Sequence, residues 1–380
     1  MKIVVAGTRG IPGIQGGVET VCEQLYPLLS RQGFDITVIR RSHYADTVAQ
    51  ARGLTEWNGV RLVDIPAPHR KSLEAIVHTF RAVIKARRLG ADILHIHAVG
   101  PAIMVPLARL LGLKVVMTNH GPDYDRAKWG GMARRVLRLG ERLGSRWANA
   151  VIAISPHIAG IILDNYRREA IVIPNGVPEA VIPADADSQL SALSPQLKPR
   201  RYILAVGRFV PEKGFHLLIR AFSRLQAEHR IGPDTHLVIA GDADHPSEYS
   251  RSLKTLAAET PGVVLTGFIK GAPLQSLLSR AALFAMPSSH EGLPIALLEA
   301  MSYGLDVATS DIPSCLIPEL DDSDHFHLDM TDDATSIANL ADLLAAKLAH
   351  PTTPRAYDMT RYSWPAVAQA TADLYRSLTN

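Results

Sequence analysis

Short runs of apolar residues alternate with longer segments of helical periodicity along almost the whole chain. In the first half the apolar runs predict strands at 2–6, 35–39, 60–65, 93–97, 114–118 and 150–154. Segments 19–32 and 73–89 have the periodicity of amphipathic helices. This alternation is typical of a parallel sheet whose two faces are covered by helices.

The pattern weakens at 178–199, where Ala, Asp, Ser and Pro dominate, and this stretch is interpreted as a linker between domains. It then restarts, with strands predicted at 202–206, 236–239, 263–266, 283–286 and 306–309, and a helix at 214–228. A chain of 380 residues is long enough for two α/β domains of ordinary size. The sequence therefore predicts two halves, each with its own parallel sheet.

Charge divides the chain unevenly. Residues 1–180 contain 24 Lys and Arg against 14 Asp and Glu, a net +10, whereas the whole chain carries only +3. A basic front half is expected to meet something anionic: phosphate, a membrane surface or nucleic acid. No apolar run approaches the ~20 residues of a membrane span. Cys22 and Cys315 lie far apart, which favours two inert thiols in a reducing cytoplasm.

Two glycine-containing loops follow strands and precede helices. The first, at 7–17, ends in Gly16-Gly17, and it could bind phosphate or be a tight turn. Its spacing does not match the dinucleotide or P-loop motifs. Arg40-Arg41 stands where a site for NAD needs an acidic residue, although a site for NADP could use an arginine there.

The second loop carries two cations. Arg208 and Lys213 lie between the strand at 202–206 and the next helix, at the end of a parallel sheet where ligands bind. Two cations in this position could hold a diphosphate and stabilise it as a leaving group. The alternative is a pair of solvated charges.

Segment 287–304 contains two glutamates that are eight positions apart. Glu291 precedes a turn at Gly292-Leu293-Pro294, a helix is predicted from Ile295, and Glu299 lies one turn into it. Carboxylates accept hydrogen bonds from sugar and ribose hydroxyls, and first-turn amides suit phosphate. One segment thus offers contacts for a sugar, a phosphate and a ribose.

These features together resemble the retaining nucleotide-sugar glycosyltransferases of group 1, also called family 4. The resemblance covers nearly the whole chain and rests on Gly16-Gly17, segment 173–177, Arg208 with Lys213, a Glu-x7-Glu spacing, and the C-terminal segment. It implies the GT-B fold, an α/β architecture of two Rossmann-like domains with parallel sheets facing across a cleft. The expected acceptor-side domain is 1–185 plus a returning helix at about 362–380. The expected donor domain is 198–361.

The resemblance also implies a role for individual residues. Arg208 and Lys213 would bind the diphosphate of the donor, and Gly16 and Gly17 would lie against its phosphates. Glu299 would hold the ribose hydroxyls. Further residues expected at the donor are Gly292, Leu293 and Ile295.

Two residues are expected at the reacting carbon of the donor sugar. Glu291 would contact hydroxyls of that sugar, and His120, which follows the strand at 114–118, matches the active-site histidine of the family. The chain departs from the family pattern at Leu305-Asp306 and at 311–314. These departures leave the choice of donor sugar open more than the reaction class.

The implied activity is transfer of a sugar, with retained configuration, from a nucleoside-diphosphate donor to a saccharide or lipid-linked acceptor. UDP- and GDP-sugars are the favoured donors, and assembly of polysaccharide, lipopolysaccharide or exopolysaccharide is the expected setting. A GT-B sugar-nucleotide epimerase, an NADP-dependent oxidoreductase and a silent sugar-nucleotide-binding module are the alternatives.

No cofactor and no metal ion is expected. The acidic segments at 242–244, 321–324 and 332–333 are interpreted as a loop and solvated turns rather than as a metal site.

A basic amphipathic helix is predicted at 132–147. Apolar residues form one stripe, and four arginines recur on another: Arg134, Arg138, Arg142 and Arg146. Such a helix could lie on anionic lipid or simply pack on the sheet with solvated arginines. No motif that reads nucleic acid is present. We therefore expect a cytoplasmic protein with peripheral contact at the inner face of the membrane.

Overall fold

The computed structural model of the chain describes residues 1–68, 74–122, 124, 130–243, 245–350 and 354–379. It divides the chain into two compact units. The N-terminal unit comprises Met1–Gly176 and Thr360–Asn380, and the C-terminal unit comprises Val177–Met359. The first segment of the N-terminal unit ends nine residues before the expected 185, the second begins two residues before the expected 362, and the C-terminal unit begins 21 residues before the expected 198.

The N-terminal unit is built on an eight-stranded sheet in the order β3-β4-β2-β1-β5-β6-β7-β8. Its strands are β1 (Lys2–Ala6), β2 (Asp35–Arg41), β3 (Glu56–Trp57), β4 (Val60–Ile65), β5 (Ile93–His97), β6 (Lys114–Asn119), β7 (Ala150–Ala153) and β8 (Ile171–Val172). Strand β3 pairs antiparallel with β4, and the other pairs are parallel. The central strands are buried along their length because helices cover both faces.

Six helices follow strands of this unit: α1 (Gly17–Arg31), α2 (Ser42–Thr47), α3 (Glu74–Arg88), α4 (Val105–Leu110), α5 (Gly131–Trp147) and α6 (Pro156–Tyr166). Helix α2 was not predicted, because its six residues are too few for the helical period to show. The predicted first residue of α3, Leu73, lies outside the described residues.

The C-terminal unit has a six-stranded parallel sheet in the order β11-β10-β9-β12-β13-β14. Its strands are β9 (Tyr202–Val206), β10 (His236–Ala240), β11 (Val263–Gly267), β12 (Leu283–Met286), β13 (Val307–Ser310) and β14 (His325–Phe326). Its helices are α7 (Ala186–Leu193), α8 (Phe215–Ala227), α9 (Glu248–Glu259), α10 (Ala272–Arg280), α11 (Ile295–Ser302) and α12 (Asp333–Ala349). The main apolar core lies between the sheet, α8 and α12.

The predicted linker at 178–199 is wrong in its second half. Helix α7 occupies part of it and buries Ala186 and Leu190 completely or nearly so. Asp187 of this helix forms an ion pair with Arg280 of α10, the two atoms being 2.6 Å apart. The polar composition of the segment concealed a short packed helix, because only two of its apolar side chains face inward.

The last helix, α13 (Trp364–Ser377), returns to the N-terminal unit, as the resemblance implied. Ser363 caps its N-terminus through the amide of Ala366. Tyr375 is fully buried, and its hydroxyl lies 2.5 Å from Nδ1 of His95 in β5. Helix α13 therefore contributes buried side chains to the core of the N-terminal unit.

Candidate active site

The carboxyl ends of β9, β10 and β12 approach each other closely in the C-terminal unit. A Cβ on Gly241, after β10, would lie 1.9 Å from the carbonyl oxygen of Gly207, after β9. A Cβ on Gly214, whose φ is +63°, would lie 2.1 Å from the carbonyl oxygen of Pro287, after β12. Only glycine fits these two positions, so the loops at this edge of the sheet form one continuous surface.

Lys213 and Glu291 meet on this surface. Lys213 Nζ donates to Glu291 Oε1 over 2.6 Å, and both side chains are largely shielded from solvent. The loops are joined a second time, because the amide of Ser289 donates to the carbonyl of Glu212. The two residues are 78 positions apart in the sequence, and the fold brings their side chains within hydrogen-bonding distance.

Arg208 is the second residue after the end of β9, and its side chain is exposed. The next residue, Phe209, is buried, and its amide donates to the carbonyl of Asp242. This anchoring directs the Arg208 side chain away from the core. Arg208 and Lys213 therefore border the same loop, Gly207–Gly214, at the carboxyl end of the sheet.

Helix α11 begins at Ile295, as predicted, after the half-buried Gly292 and the buried Leu293. Its N-cap position, Pro294, supplies no side-chain hydrogen bond, so the first turn retains backbone donors for an external acceptor. Glu299 follows in the next turn of the helix.

Glu299 is unusual among the acidic residues of this unit. Within the described part of the chain, its carboxylate has no hydrogen-bond partner, and burial raises the pKa of this carboxyl to about 7. Burying a carboxylate without a hydrogen-bond partner costs folding free energy, unless a ligand supplies hydrogen-bond donors. The two hydroxyls of a ribose would supply them.

In the N-terminal unit, His120 follows β6 directly and is half-buried. Nε2 of His120 lies 3.0 Å from Nδ1 of His97, at the end of the adjacent strand β5. The preceding residue is also fixed, because Asn119 donates to the buried carboxylate of Glu141 and accepts from the amide of Gly121. His120 is thus held on both sides by buried polar groups.

The first glycine loop is held by acids of α1. One carboxylate oxygen of Glu19 accepts from the amide of Arg9 and from the hydroxyl of Thr8, and the other lies 1.9 Å from where a Cβ on Gly16 would be. Gly16 is therefore required for packing whether or not it binds phosphate. Gly17 begins α1, and nothing lies within 4 Å of its Cβ position.

Two family models match the chain. The model for group 1 glycosyl transferases matches residues 200–346, and the model for glycosyltransferase family 4 matches residues 15–181. The chain is 30% identical over 345 residues to α-maltose-1-phosphate synthase of Mycobacterium tuberculosis, covering 82% of this chain and 86% of the relative. The chain belongs to glycosyltransferase family 4.

Two further similarities agree with this assignment. A family 4 relative from Escherichia coli, UDP-Gal:α-D-GlcNAc-diphosphoundecaprenol α-1,3-galactosyltransferase, is 27% identical over 349 residues, which cover 86% of each chain. Sucrose-phosphate synthase from Thermosynechococcus elongatus has the same fold, with a TM-score of 0.77 at 19% identity over 100% of this chain and 99% of that chain. The fold is GT-B, and the family 4 chain is a glycosyltransferase.

Arg40 does not have the role that an NADP site would give it. All five of its N–H groups are used, by the carboxylate of Asp64 and by three backbone carbonyls. Arg41 is paired with Glu74 at 2.8 Å. The NADP alternative therefore loses the residue on which it depended, and the two arginines instead fix the loops around β2.

Two acidic residues that were expected in solvated turns have structural roles in the C-terminal unit. Asp324, expected in a solvated turn, is completely buried, and Lys347 donates to it over 2.6 Å, with Arg355 as its other cationic partner. Asp332 caps helix α12. Among the described residues, no group of three or more His, Cys, Asp or Glu is arranged to hold a metal ion. Asp244 lies outside the described residues.

Helix α5 was predicted as an amphipathic helix, and it packs on the N-terminal unit through small and polar residues. Its buried residues are Gly140, Glu141, Gly144 and Ser145. A Cβ on Gly140 would lie 2.2 Å from the carbonyl oxygen of Val99, so the helix sits very close to the loop after β5.

Three residues of the predicted apolar stripe of α5 are exposed. Met132 is 73% exposed, Leu139 45% and Trp147 51%. Arg138, Arg142 and Arg146 line a cavity of about 560 Å³ with Tyr124, Asn165 and Tyr166. None of the described helices combines the length and apolar composition of a bilayer-spanning segment.

The sequence analysis did not identify four residues that lie around His120: His97, Tyr26, Asn119 and Glu141. The pair His95-Ile-His97 at the end of an apolar strand was a usable signal, because alternate residues of a strand share one face. Glu141 was hidden among the arginines of α5. The loop at 121–129 was expected to contribute to the acceptor side, and its residues 123 and 125–129 lie outside the described residues.

Proposed function

We propose that the protein is a retaining glycosyltransferase that moves a sugar from a UDP- or GDP-sugar to a saccharide or lipid-linked acceptor during polysaccharide assembly. The observation that carries this proposal is the Lys213–Glu291 pair at the carboxyl end of the C-terminal sheet, in the same segment as the unpartnered Glu299. The name of the E. coli relative, which includes UDP-Gal and a diphosphoundecaprenol-linked sugar, supports this choice of donor and acceptor.

The donor would bind with its diphosphate at Arg208, Lys213 and the first turn of α11, and its ribose at Glu299. Glu291 would accept hydrogen bonds from the donor sugar. Because Lys213 and Glu291 are already 2.6 Å apart, a ligand that contacts both must place its phosphate and its sugar side by side. The bond between diphosphate and anomeric carbon satisfies this requirement.

During transfer, the bond between the anomeric carbon and the diphosphate oxygen breaks, and the acceptor hydroxyl oxygen bonds to the same face of that carbon. The acceptor proton passes to the departing phosphate oxygen. Arg208 and Lys213 stabilise the negative charge on the diphosphate, so no metal ion is required for this purpose. Glu291 favours the positive charge that develops on the sugar.

Activity should be measured with purified protein, a panel of UDP- and GDP-sugars, and lipid-diphosphate or oligosaccharide acceptors. We expect nucleoside diphosphate and a glycosylated acceptor in equal amounts, with the anomeric configuration of the donor. Conversion of the donor without any acceptor would indicate the epimerase alternative. Inverted configuration in the product would contradict the retaining mechanism.

Helix α5 supports a second part of the proposal, which is contact with an anionic membrane surface. Its exposed Met132, Leu139 and Trp147 offer apolar insertion, while its arginines offer charge, each worth about 1 kcal/mol near such a surface. The cavity lined by Arg138, Arg142 and Arg146 has room for a phosphate-bearing headgroup.

Sedimentation with phosphatidylglycerol vesicles at low salt tests this part. We expect binding that falls when Arg138, Arg142 and Arg146 are replaced by Ala. Replacing the exposed Arg87 and Arg88 of α3 by Ala removes charge elsewhere on the same unit and should leave most of the binding. Equal losses in the two variants would show a nonspecific charge effect, and no binding at all would remove the membrane contact.

A further inference from the structure

A continuous chain of buried polar side chains ends at His120. Tyr26 of α1 contacts both His95 and His97 of β5, Tyr375 of α13 contacts His95, and all four side chains are almost completely buried. The hydroxyl of Tyr26 is 2.5 Å from Nε2 of His97, and that of Tyr375 is 2.5 Å from Nδ1 of His95. Nothing in the fold of the sheet itself requires four polar groups at this place.

The proton positions in this chain follow from its donors and acceptors. A phenol donates one hydrogen bond readily, and burial raises the pKa of both tyrosines, so both keep their protons. Burial also lowers the pKa of His95 to about 3 and that of His97 well below its usual range. Both imidazoles are therefore neutral, and each carries one N–H.

The two shortest contacts join Tyr26 to His97 and Tyr375 to His95, and an imidazole nitrogen is a stronger acceptor than a phenol oxygen, so each phenol donates to an imidazole. Each imidazole then donates from its other nitrogen. His95 then donates from Nε2 to the hydroxyl of Thr118, 2.7 Å away. His97 donates from Nδ1 to Nε2 of His120, 3.0 Å away. Two other arrangements are less favourable: Tyr26 could donate to His95 over the longer of its two histidine contacts, 3.1 Å against 2.5 Å, or to the hydroxyl of Tyr375, which is a weaker acceptor than imidazole.

We infer that His97, oriented by Tyr26, is a positioning residue that holds His120 in the tautomer with Nε2 unprotonated and Nδ1 protonated. Histidine in water prefers the opposite tautomer, so the arrangement must be imposed by its neighbours. The rings of His97 and His120 also stack, with centroids 5.3 Å apart and planes at 28°. Both the proton and the plane of the His120 ring are thus fixed before any ligand binds.

The consequence for catalysis rests on the proposed function. If His120 contacts a substrate, a fixed tautomer and a fixed ring plane present the same polar atoms to that substrate in every turnover. A ring that can rotate or change tautomer would present the correct group for only part of the time. Misplacement of a group by about 1 Å can cost about 100-fold in rate.

The tautomer can be measured without any substrate. Long-range nitrogen–proton NMR of protein labelled with ¹⁵N-histidine distinguishes protonated from unprotonated ring nitrogens, and the His120→Gln variant assigns the signals of His120. We expect Nε2 of His120 to be unprotonated in the native protein. A protonated Nε2, or an even mixture of tautomers, would overturn the inference even if the protein proves to be a glycosyltransferase.

Three variants separate positioning from a merely structural role. His97→Leu should release the tautomer of His120 and lower kcat about 100-fold with little change in the KM of the donor. His97→Asn, whose amide nitrogen can take the place of Nδ1, should recover most of this loss. His95→Leu removes an equally buried histidine that does not contact His120, and it should lower the melting temperature while leaving the tautomer unchanged.

An unchanged His120 tautomer in folded His97→Leu protein would contradict the inference. Equal effects of the two Leu variants on the tautomer would do the same, because they would reflect general loosening of the core. If the tautomer behaves as expected but no transferase activity is found with any donor, the proposed function fails and the positioning of His120 stands.

Discussion

Replacing Glu299 by Gln should stabilise the C-terminal unit at alkaline pH. Burial raises the pKa of this carboxyl from 4.5 to about 7, because the charged form loses solvation without gaining a partner. The folded state therefore binds the proton more tightly than the unfolded state. Stability is highest below the unfolded pKa, falls as the pH rises from 4.5 to about 7, and stays reduced above it.

The magnitude follows from the size of this shift. One pKa unit corresponds to about 1.4 kcal/mol, so the full shift is worth about 3 kcal/mol, and partial solvation of the side chain reduces it to about 1–3 kcal/mol. Gln has a similar shape and stays neutral at every pH. We expect the variant to melt several degrees above the native protein at pH 8.5 and to differ much less at pH 5.

Scanning calorimetry or far-UV circular dichroism is the suitable assay. Tryptophan fluorescence is not, because all four tryptophans belong to the N-terminal unit. Buried histidines also make stability depend on pH, but they are present in both proteins and cancel in the difference. Glu259→Gln, on the exposed side of α9, controls for the loss of one negative charge. A Glu299→Gln protein that is less stable at pH 8.5, or a difference that does not grow with pH, would refute the reasoning.

Three further predictions concern the donor site. Lys213→Ala and Glu291→Ala should each lower kcat about 100-fold or more. The fold-loss of kcat in the double variant should be smaller than the product of the two single losses, because each single change leaves its partner unpaired. A loss equal to that product would show that the two residues act separately. Gly17→Ala should keep or slightly raise the melting temperature, since the added Cβ meets open space, but it should raise the donor KM if phosphate lies beside Gly17. Gly241→Ala should instead destabilise the protein by about 1–3 kcal/mol, because its Cβ would clash with the backbone. Turnover should persist in excess chelator. Complete loss of turnover that is restored by a divalent metal ion would show that Arg208 and Lys213 do not suffice to stabilise the leaving diphosphate.

The strands and the donor segment could be predicted from the sequence because their signals are local. Apolar runs bounded by turns identify buried parallel strands, and the spacing of Glu291 and Glu299 around the turn that opens α11 is visible in one stretch of chain. The contact between Lys213 and Glu291 follows once the topology is known, because carboxyl ends of adjacent parallel strands meet at one edge.

The network behind His120 could not be predicted in this way. It joins residues of α1, β5 and α13, and the contact between His95 and Tyr375 spans 280 positions. Helix α5 could be predicted from the sequence, but the side on which it packs could not. That side carries Gly140 and Gly144, which allow a close approach of the helix backbone to the rest of the unit.

Arg40 shows a third limit. Its position after the predicted strand at 35–39 suggested a ligand-binding arginine. Nothing in the neighbouring sequence indicated that Asp64 and three carbonyls would accept from all of its N–H groups. The partners of a buried charge come from several loops, whose approach depends on tertiary structure. Such roles can be recognised only when the hydrogen bonds are counted.

A crystal structure of the protein soaked with a nucleoside-diphosphate sugar tests the central claim most directly. The account predicts the diphosphate on Arg208, Lys213 and the first turn of α11, with the ribose hydroxyls donating to the carboxylate of Glu299. Nucleotide bound at any place where neither Lys213 nor Glu299 contacts it would contradict the account.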